Sequence, residues 1–149
     1  MCIRDRLSVG VNTISGTTGS NDRDLVTFVV GPGQQLTSFL ITDFSETGGH
    51  FFGLGDSFTE PTGGSGFLFA GLVTDPAAPG FEVLGSSGGD FGGSGVPSVL
   101  GPGNYLAFFN ETSGVSPNYT AELTIVPEPS GAVLLLGSVG LMMFRRRRK

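Results

Sequence analysis

The chain has 149 residues, among them 26 glycines, 13 phenylalanines, one cysteine and no tryptophan, a length that allows one domain with at most an added anchor. Its net charge of −5 hides a division: between residues 7 and 126 eleven acidic residues stand against Arg23 alone, whereas residues 145–149 are all cationic. So acidic a body excludes nucleic acid as a partner, because that affinity comes from Lys and Arg displacing counterions from phosphates, and the lone Cys2 excludes a disulfide framework.

The chain opens MCIRDR, with the cations Arg4 and Arg6 and no apolar stretch behind them. Residues 1–6 resemble translated sequencing-adapter read-through and are expected to be a non-native start, the true N-terminus and any signal peptide having been lost. Beyond them, glycine at more than twice ordinary usage is combined with enough phenylalanine to rule out disorder. Before Ser130 no eleven-residue window escapes Gly, Pro or a β-branched cluster, which leaves no room for helix.

Strands are predicted in chain order at Val9 to Ile14, Leu25 to Val30, Leu36 to Phe44, Phe51 to Leu54, Phe67 to Val73, Phe81 to Leu84, Tyr105 to Phe109 and Tyr119 to Val126. In the last, Tyr119, Ala121, Leu123 and Ile125 alternate with Thr120, Glu122 and Thr124, the period of a strand with one face on a core. Eight short strands without crossover helices predict an all-β, antiparallel, jelly-roll-like β-sandwich over residues 7–126. VVGPGQQL at 29–36 and VLGPGNYL at 99–106 repeat one device, since Pro and Gly at the central positions suit a type II turn, and each GPG is expected to start a core strand. The glycine- and serine-rich stretches 63–66 and 85–95 read as exposed loops.

The stretch NTISGTTGSNDRDLVTFVVGPGQQLTSFLI, followed by LGPGNYLAFFN and YTAELTIV, resembles the bacterial pre-peptidase C-terminal type of domain, with Leu25 where that family's pattern has an aromatic. The resemblance spans most of residues 12–126 and implies the same sandwich. It implies no activity, since such domains accompany many enzymes and also occur alone.

The body is followed by VPEPSGAVLLLGSVGLMMFRRRRK. Its apolar run, Gly131, Ala132, Val133, Leu134, Leu135, Leu136, Gly137, Ser138, Val139, Gly140, Leu141, Met142, Met143 and Phe144, holds thirteen residues from Ala132 onward, about 20 Å of helix against a hydrocarbon core of about 30 Å. Flanking apolar residues and the snorkelling stems of Arg145 and Arg146 extend it to a marginal span. One short C-terminal transmembrane helix is therefore expected. The cluster Arg145, Arg146, Arg147, Arg148 and Lys149 would stay cytoplasmic and the acidic body would lie across the membrane.

Pro127, Glu128 and Pro129, then a short apolar helix, then arginines, resemble in order and spacing the PEP-CTERM sorting signal of Gram-negative bacteria. That resemblance makes residues 127–149 a sorting and anchoring segment and implies recognition by an exosortase, with the body held briefly at the inner membrane in the periplasm and then passed to the cell surface or exterior. The two prolines keep the peptide extended and block helix from running into the cleavage region.

The search for chemistry mostly returns negatives. His50 is the sole histidine and is expected in a turn. Gly85-Ser86-Ser87-Gly88-Gly89 satisfies G-x-S-x-G, but a nucleophile elbow needs a helix after the serine, and DFGGSGVP cannot form one. Asn21, Asp22 and Asp24 crowd one turn and are a candidate calcium site, since Ca²⁺ takes carboxylate, amide and carbonyl oxygens. Phe58, Phe81 and Phe91 could stack on sugar rings, with burial as the default. The expectation is thus a non-enzymatic exported surface or extracellular-matrix protein without an obligatory cofactor. The alternatives are a calcium-assisted module binding extracellular polysaccharide, or the C-terminal fragment of a larger exported hydrolase.

Overall fold

The computed structural model describes residues 2–19, 22–44, 50–58, 66–73, 80–111 and 118–129. Among them are nine strands and no α-helix: β1 (Cys2–Arg6), β2 (Gly10–Thr17), β3 (Arg23–Val30), β4 (Gln34–Phe44), β5 (His50–Gly55), β6 (Phe69–Val73), β7 (Phe81–Glu82), β8 (Gly103–Glu111) and β9 (Asn118–Pro127). All eight predicted strands are present. The ninth, β1, falls on the segment expected to be a non-native start.

The strands form two sheets, ordered β1-β3-β8-β5-β6 and β2-β9-β4-β7. Every pair is antiparallel except β1 with β3, which run parallel from Cys2↔Leu25 to Arg6↔Val29. The antiparallel expectation for residues 7–126 holds, and the parallel pair is added by residues 2–6, whose partner β3 lies beyond β2 in the other sheet, so no hairpin fixes their relative direction. Of the connections between the described strands only β5 to β6 stays within one sheet, and this repeated crossing closes the sandwich.

The core lies between the sheets. Phe28 on β3, Phe39 on β4 and Phe52 on β5 meet edge-on with ring centroids 6.0 and 5.5 Å apart, alternating from sheet to sheet. Phe109 on β8 stacks on Tyr119 of β9 at 4.0 Å. The alternation read in the last strand holds, with Tyr119, Ala121, Leu123 and Ile125 buried. Each buried aromatic of this kind stabilises the fold by roughly 2–3 kcal/mol through apolar area removed from water. Two register shifts along β4, between Leu36 and Ser38 and between Ile41 and Asp43, each place a threonine at the irregularity. Thr37 and Thr42 donate their hydroxyls to the carbonyls of Thr124 and Thr120 at 3.4 and 3.3 Å, so the bulges leave these acceptors partnered.

The two GPG segments differ. At 31–33 Gln34 N donates to Gly31 O at 3.1 Å and Gly33 has φ +70°, the expected type II turn. At 101–103 Gly103 already belongs to β8 and is absent from the positive-φ glycines. There the Tyr105 hydroxyl donates to Gly101 O at 2.9 Å, and Leu100 exchanges two backbone bonds with Leu36. Partners outside the tripeptide thus override its turn preference, although both GPG segments do lead into core strands.

The 85–95 stretch is a loop with most of its residues exposed or half-buried, as expected, but its backbone is tied to the strand beside it. Ala70 N donates to Gly88 O, Phe91 N to Ala70 O, Ser94 N to Phe67 O and Gly95 N to Leu68 O, all at 2.8–3.0 Å. The segment therefore lies along the open edge of β6 and satisfies its backbone. Glycine is required by contact: at Gly89, with φ +84°, a Cβ would run into the Ala70 carbonyl.

No helix of the described residues is long and apolar enough to cross a membrane. The predicted transmembrane run 131–144 and basic cluster 145–149 lie outside the described residues, as do Asn21 and the stretch 63–65.

Candidate functional site

The three residues of the sorting-like motif stand at the end of a central strand. β9 lies between β2 and β4 and is held from two sides up to Ile125, with β4 alone pairing its last two residues. Pro127 still has a register partner, Gln34, at the start of β4. Glu128 N donates to Gly33 O at 2.8 Å, so the type II turn of the first GPG supplies the acceptor that fixes the motif's middle residue. Pro127 and Pro129 are exposed and Glu128 is half-buried. A proline at Pro127 costs nothing here, because the strand's ladder is ending and its missing N–H is taken up by no partner. The chain thus passes from sandwich core to PEP motif without an intervening linker.

The calcium candidates sit at the other end of the sandwich. From Tyr119 to Pro127 β9 covers about 26 Å at about 3.3 Å per residue. Asp22 is exposed and bridges to Gly19 through its backbone. Asp24, on the core-facing side of β3, is buried, and its Oδ2 accepts from the Tyr119 hydroxyl at 2.9 Å. Burial first, then the bond to Asp24, then the charges of Asp24 and Asp22 hold the Tyr119 phenol far above its ordinary range. At this end the ring is wedged between Phe109 and Gly16, where a Cβ would meet the phenol oxygen and lie 2.6 Å from Cζ. Among the described residues no group of three His, Cys, Asp or Glu side chains is placed to hold a metal. The Tyr119–Asp24 pair escaped sequence reasoning, which took Tyr119 only as a core position. The readable signal was that a tyrosine on a buried strand face needs an acceptor for its hydroxyl, and the D-x-D run at the start of β3 offered one.

His50 corrects its expected turn placement. It begins β5, is buried, stands opposite Val73 and Glu111, and stacks on Phe44 at 4.6 Å. Ser87 is exposed and residues 88–99 after it contain no helix, in keeping with the rejection of a nucleophile elbow. Two of the aromatic candidates stand apart: Phe81 packs on Phe69 of the core at 5.6 Å, while Phe91, 54% exposed, meets Phe51 at 5.8 Å on the outer face of the five-stranded sheet. That face carries its own cluster, Phe67, Ala70 and Phe108 with Leu25 and Phe51, so its aromatic content is explained by packing under the 66–68 and 85–95 segments.

No protein-family model matches the chain, and comparison with curated proteins finds none similar to it. Among solved structures the chain is similar to the pre-peptidase C-terminal domain of a collagenase from Bacillus anthracis, at 16% identity over 85% of this chain and 95% of that one, with a TM-score of 0.44. It is similar to PliG, a periplasmic inhibitor of g-type lysozyme, from Aeromonas hydrophila, at 12% identity over 84% and 97% of the two chains and a TM-score of 0.45. The PliG of Salmonella Typhimurium is similar at 14% identity over 83% and 98%, with a TM-score of 0.40.

Proposed function

We propose that this chain is a non-catalytic exported protein of the bacterial surface or extracellular matrix, in which residues 127–149 act as a PEP-CTERM sorting and transient anchoring segment processed by an exosortase. The observation that carries the reading is the seam: β9 delivers Pro127 and Pro129 exposed at one end of the sandwich, directly ahead of the uncharged run 131–144 and the cations 145–149. A membrane-bound processing enzyme would meet an extended, proline-flanked peptide there, with the acidic body pointing away.

The seam also makes a clean experiment possible. Glu128 contributes its backbone N–H to the fold, so the Pro127→Ala, Glu128→Ala double variant retains that bond and the sandwich. It should accumulate as an unprocessed membrane-bound form, detected by mass spectrometry as protein retaining residues 130–149. Trimming and release at the wild-type rate would remove the PEP motif from the reading and leave an ordinary anchored sandwich. Replacing Arg145 to Arg148 with Ser tests the other half, since orientation would then rest on Lys149 alone and membrane retention should become mixed.

A second reading, calcium binding at the Asp22–Asp24 end, is favoured by one observation. Asp22 and Asp24 stand two positions apart at the entry to β3, Asp22 exposed and Asp24 bonded to the Tyr119 hydroxyl, and a cation there would relieve the repulsion between two close carboxylates. A bound polysaccharide would then make this the calcium-assisted module.

A further inference from the structure

Each sheet has two outer strands, and three of the four are blunted in ways that prevent pairing with another chain. β6 is covered at Ala70 by two backbone hydrogen bonds from the 85–95 segment, which makes two more to Phe67 and Leu68 just before the strand. β7 is two residues long, and β1 carries Arg4, Asp5 and Arg6 within five residues. β2 has none of these protections. It runs eight residues as GVNTISGT, without a charge or a proline, is paired on one side with β9 over its whole length, and has no strand on its other side among the described residues. Beside and within it stand the two most exposed large hydrophobic residues of the described body, Val9 at 55% and Val11 at 62%.

We propose that β2 is a docking edge for a second copy of this chain, the two β2 strands pairing antiparallel about a two-fold axis to make one eight-stranded sheet. Charge selects the occupant. A body with eleven acids and one arginine repels its own copies at most approaches, but along β2 the approach is neutral. An antiparallel strand edge is complementary to itself by symmetry. A two-fold near Thr13 sets Val11, the most exposed of these residues, opposite Ser15 of the second copy, so Val11 loses exposure, while Val9 stands in the bend just before the paired edge. The nearest acid facing the same outer side, Glu122 opposite Thr13, would lie three strand spacings, about 14 Å, from its counterpart. That exceeds the screening length of about 8 Å at physiological ionic strength.

The test uses the full chain in mild detergent, with mass measured by light scattering coupled to size exclusion. The protein component should double from the 15.4 kDa protomer as concentration rises. Dimerisation should strengthen several-fold from about 0.01 to about 0.15 M salt as body–body repulsion is screened. Thr13→Lys with Ser15→Lys, both exposed positions, should weaken it at least tenfold while leaving the melting temperature in place. Hydrogen exchange on the unaltered chain gives an independent reading, since amides in 10–17 should slow as concentration rises. A monomer throughout, a dimer that weakens with salt, a dimer indifferent to the lysines, or concentration-independent exchange in β2 would each overturn the proposal. An association that persists in the lysine variant belongs to the tail. Since the experiment involves no processing, its outcome is separate from that of the sorting reading.

Discussion

Replacing Tyr119 with Phe isolates one atom. The ring keeps its stack on Phe109 and its fit against Gly16, while the buried Asp24 carboxylate loses the hydroxyl donated at 2.9 Å. A hydrogen bond to a charged acceptor contributes about 2 kcal/mol, which for a domain of this size lowers the melting temperature by about 8 °C. The pH dependence makes the test stringent. The folded protein holds the Tyr119 phenol above its ordinary value, so the stabilisation is fully present below about pH 10 and is lost as pH rises toward the folded value. At pH 11 the unfolded chain gains about 1.4 kcal/mol from ionising this one phenol. The wild type and Tyr119→Phe should therefore differ by about 2 kcal/mol from pH 7 to 9 and by less than about 1 kcal/mol at pH 11. Tyr105, also raised by burial and then by Asp56, is present in both chains and cancels. Thermal unfolding followed by circular dichroism across that range gives the gap, and absorbance at 295 nm follows tyrosinate directly, with no tryptophan present to interfere. A gap that stays constant to pH 11, or a Tyr119 that ionises near pH 10 while the fold is intact, would refute the reasoning.

Gly16→Ala pushes a methyl against the Tyr119 ring, 2.6 Å from Cζ, and the stack on Phe109 blocks retreat. Overpacking should cost about 2 kcal/mol, more than the gain from alanine in a strand, and a melt within 2 °C of wild type would contradict it. The two GPG segments should answer alanine with opposite signs, although both sites have open space around a Cβ. Gly33→Ala, at φ +70°, should destabilise by about 1 kcal/mol, whereas Gly101→Ala should be neutral or stabilising by up to about 1 kcal/mol through the unfolded chain. Equal effects in denaturant titration would show that backbone conformation does not separate them. On the calcium reading, millimolar Ca²⁺ should raise the melting temperature by mass action, and Asp22→Asn should erase the gain while leaving Asp24 with Tyr119. An unchanged melt removes the site.

Strand positions were legible because burial alternates locally: Tyr119, Ala121, Leu123 and Ile125 announce a half-buried strand by themselves. What escaped depended on partners far along the chain. Nothing within LGPGNY says that Tyr105 will turn back to Gly101 O or that Leu100 will bridge Leu36, so a local rule assigned the wrong turn. SSGGDFGGSG reads as solvent-exposed because glycine is permissive, yet the same lack of side chains is what lets its backbone lie against Ala70 and Leu68. β1 was unreadable for another reason, since its parallel partner β3 lies beyond an intervening strand in the other sheet. Of the candidate sites, Pro127, Glu128 and Pro129 are contiguous, so their position at the end of β9 follows from the strand pattern alone. Tyr119 and Asp24, 95 residues apart, could not be joined without the sheet pairing.

The exit of the tail and the open edge of β2 constrain each other. Pro127 lies five residues beyond Glu122, the partner of Thr13, or about 16 Å along the strand direction. A two-fold pair joined near Thr13 therefore has its two tail exits about 33 Å apart along that direction, at opposite ends of the shared sheet. Copies whose tails enter one flat bilayer stand the same way up, whereas edge pairing needs one of them inverted. Anchoring would thus keep the uncharged edge unpaired during passage through the membrane, and release by cleavage after the PEP motif would remove that restriction. If both proposals hold, the sorting segment would do more than address the protein, because it would also delay self-association until after cleavage.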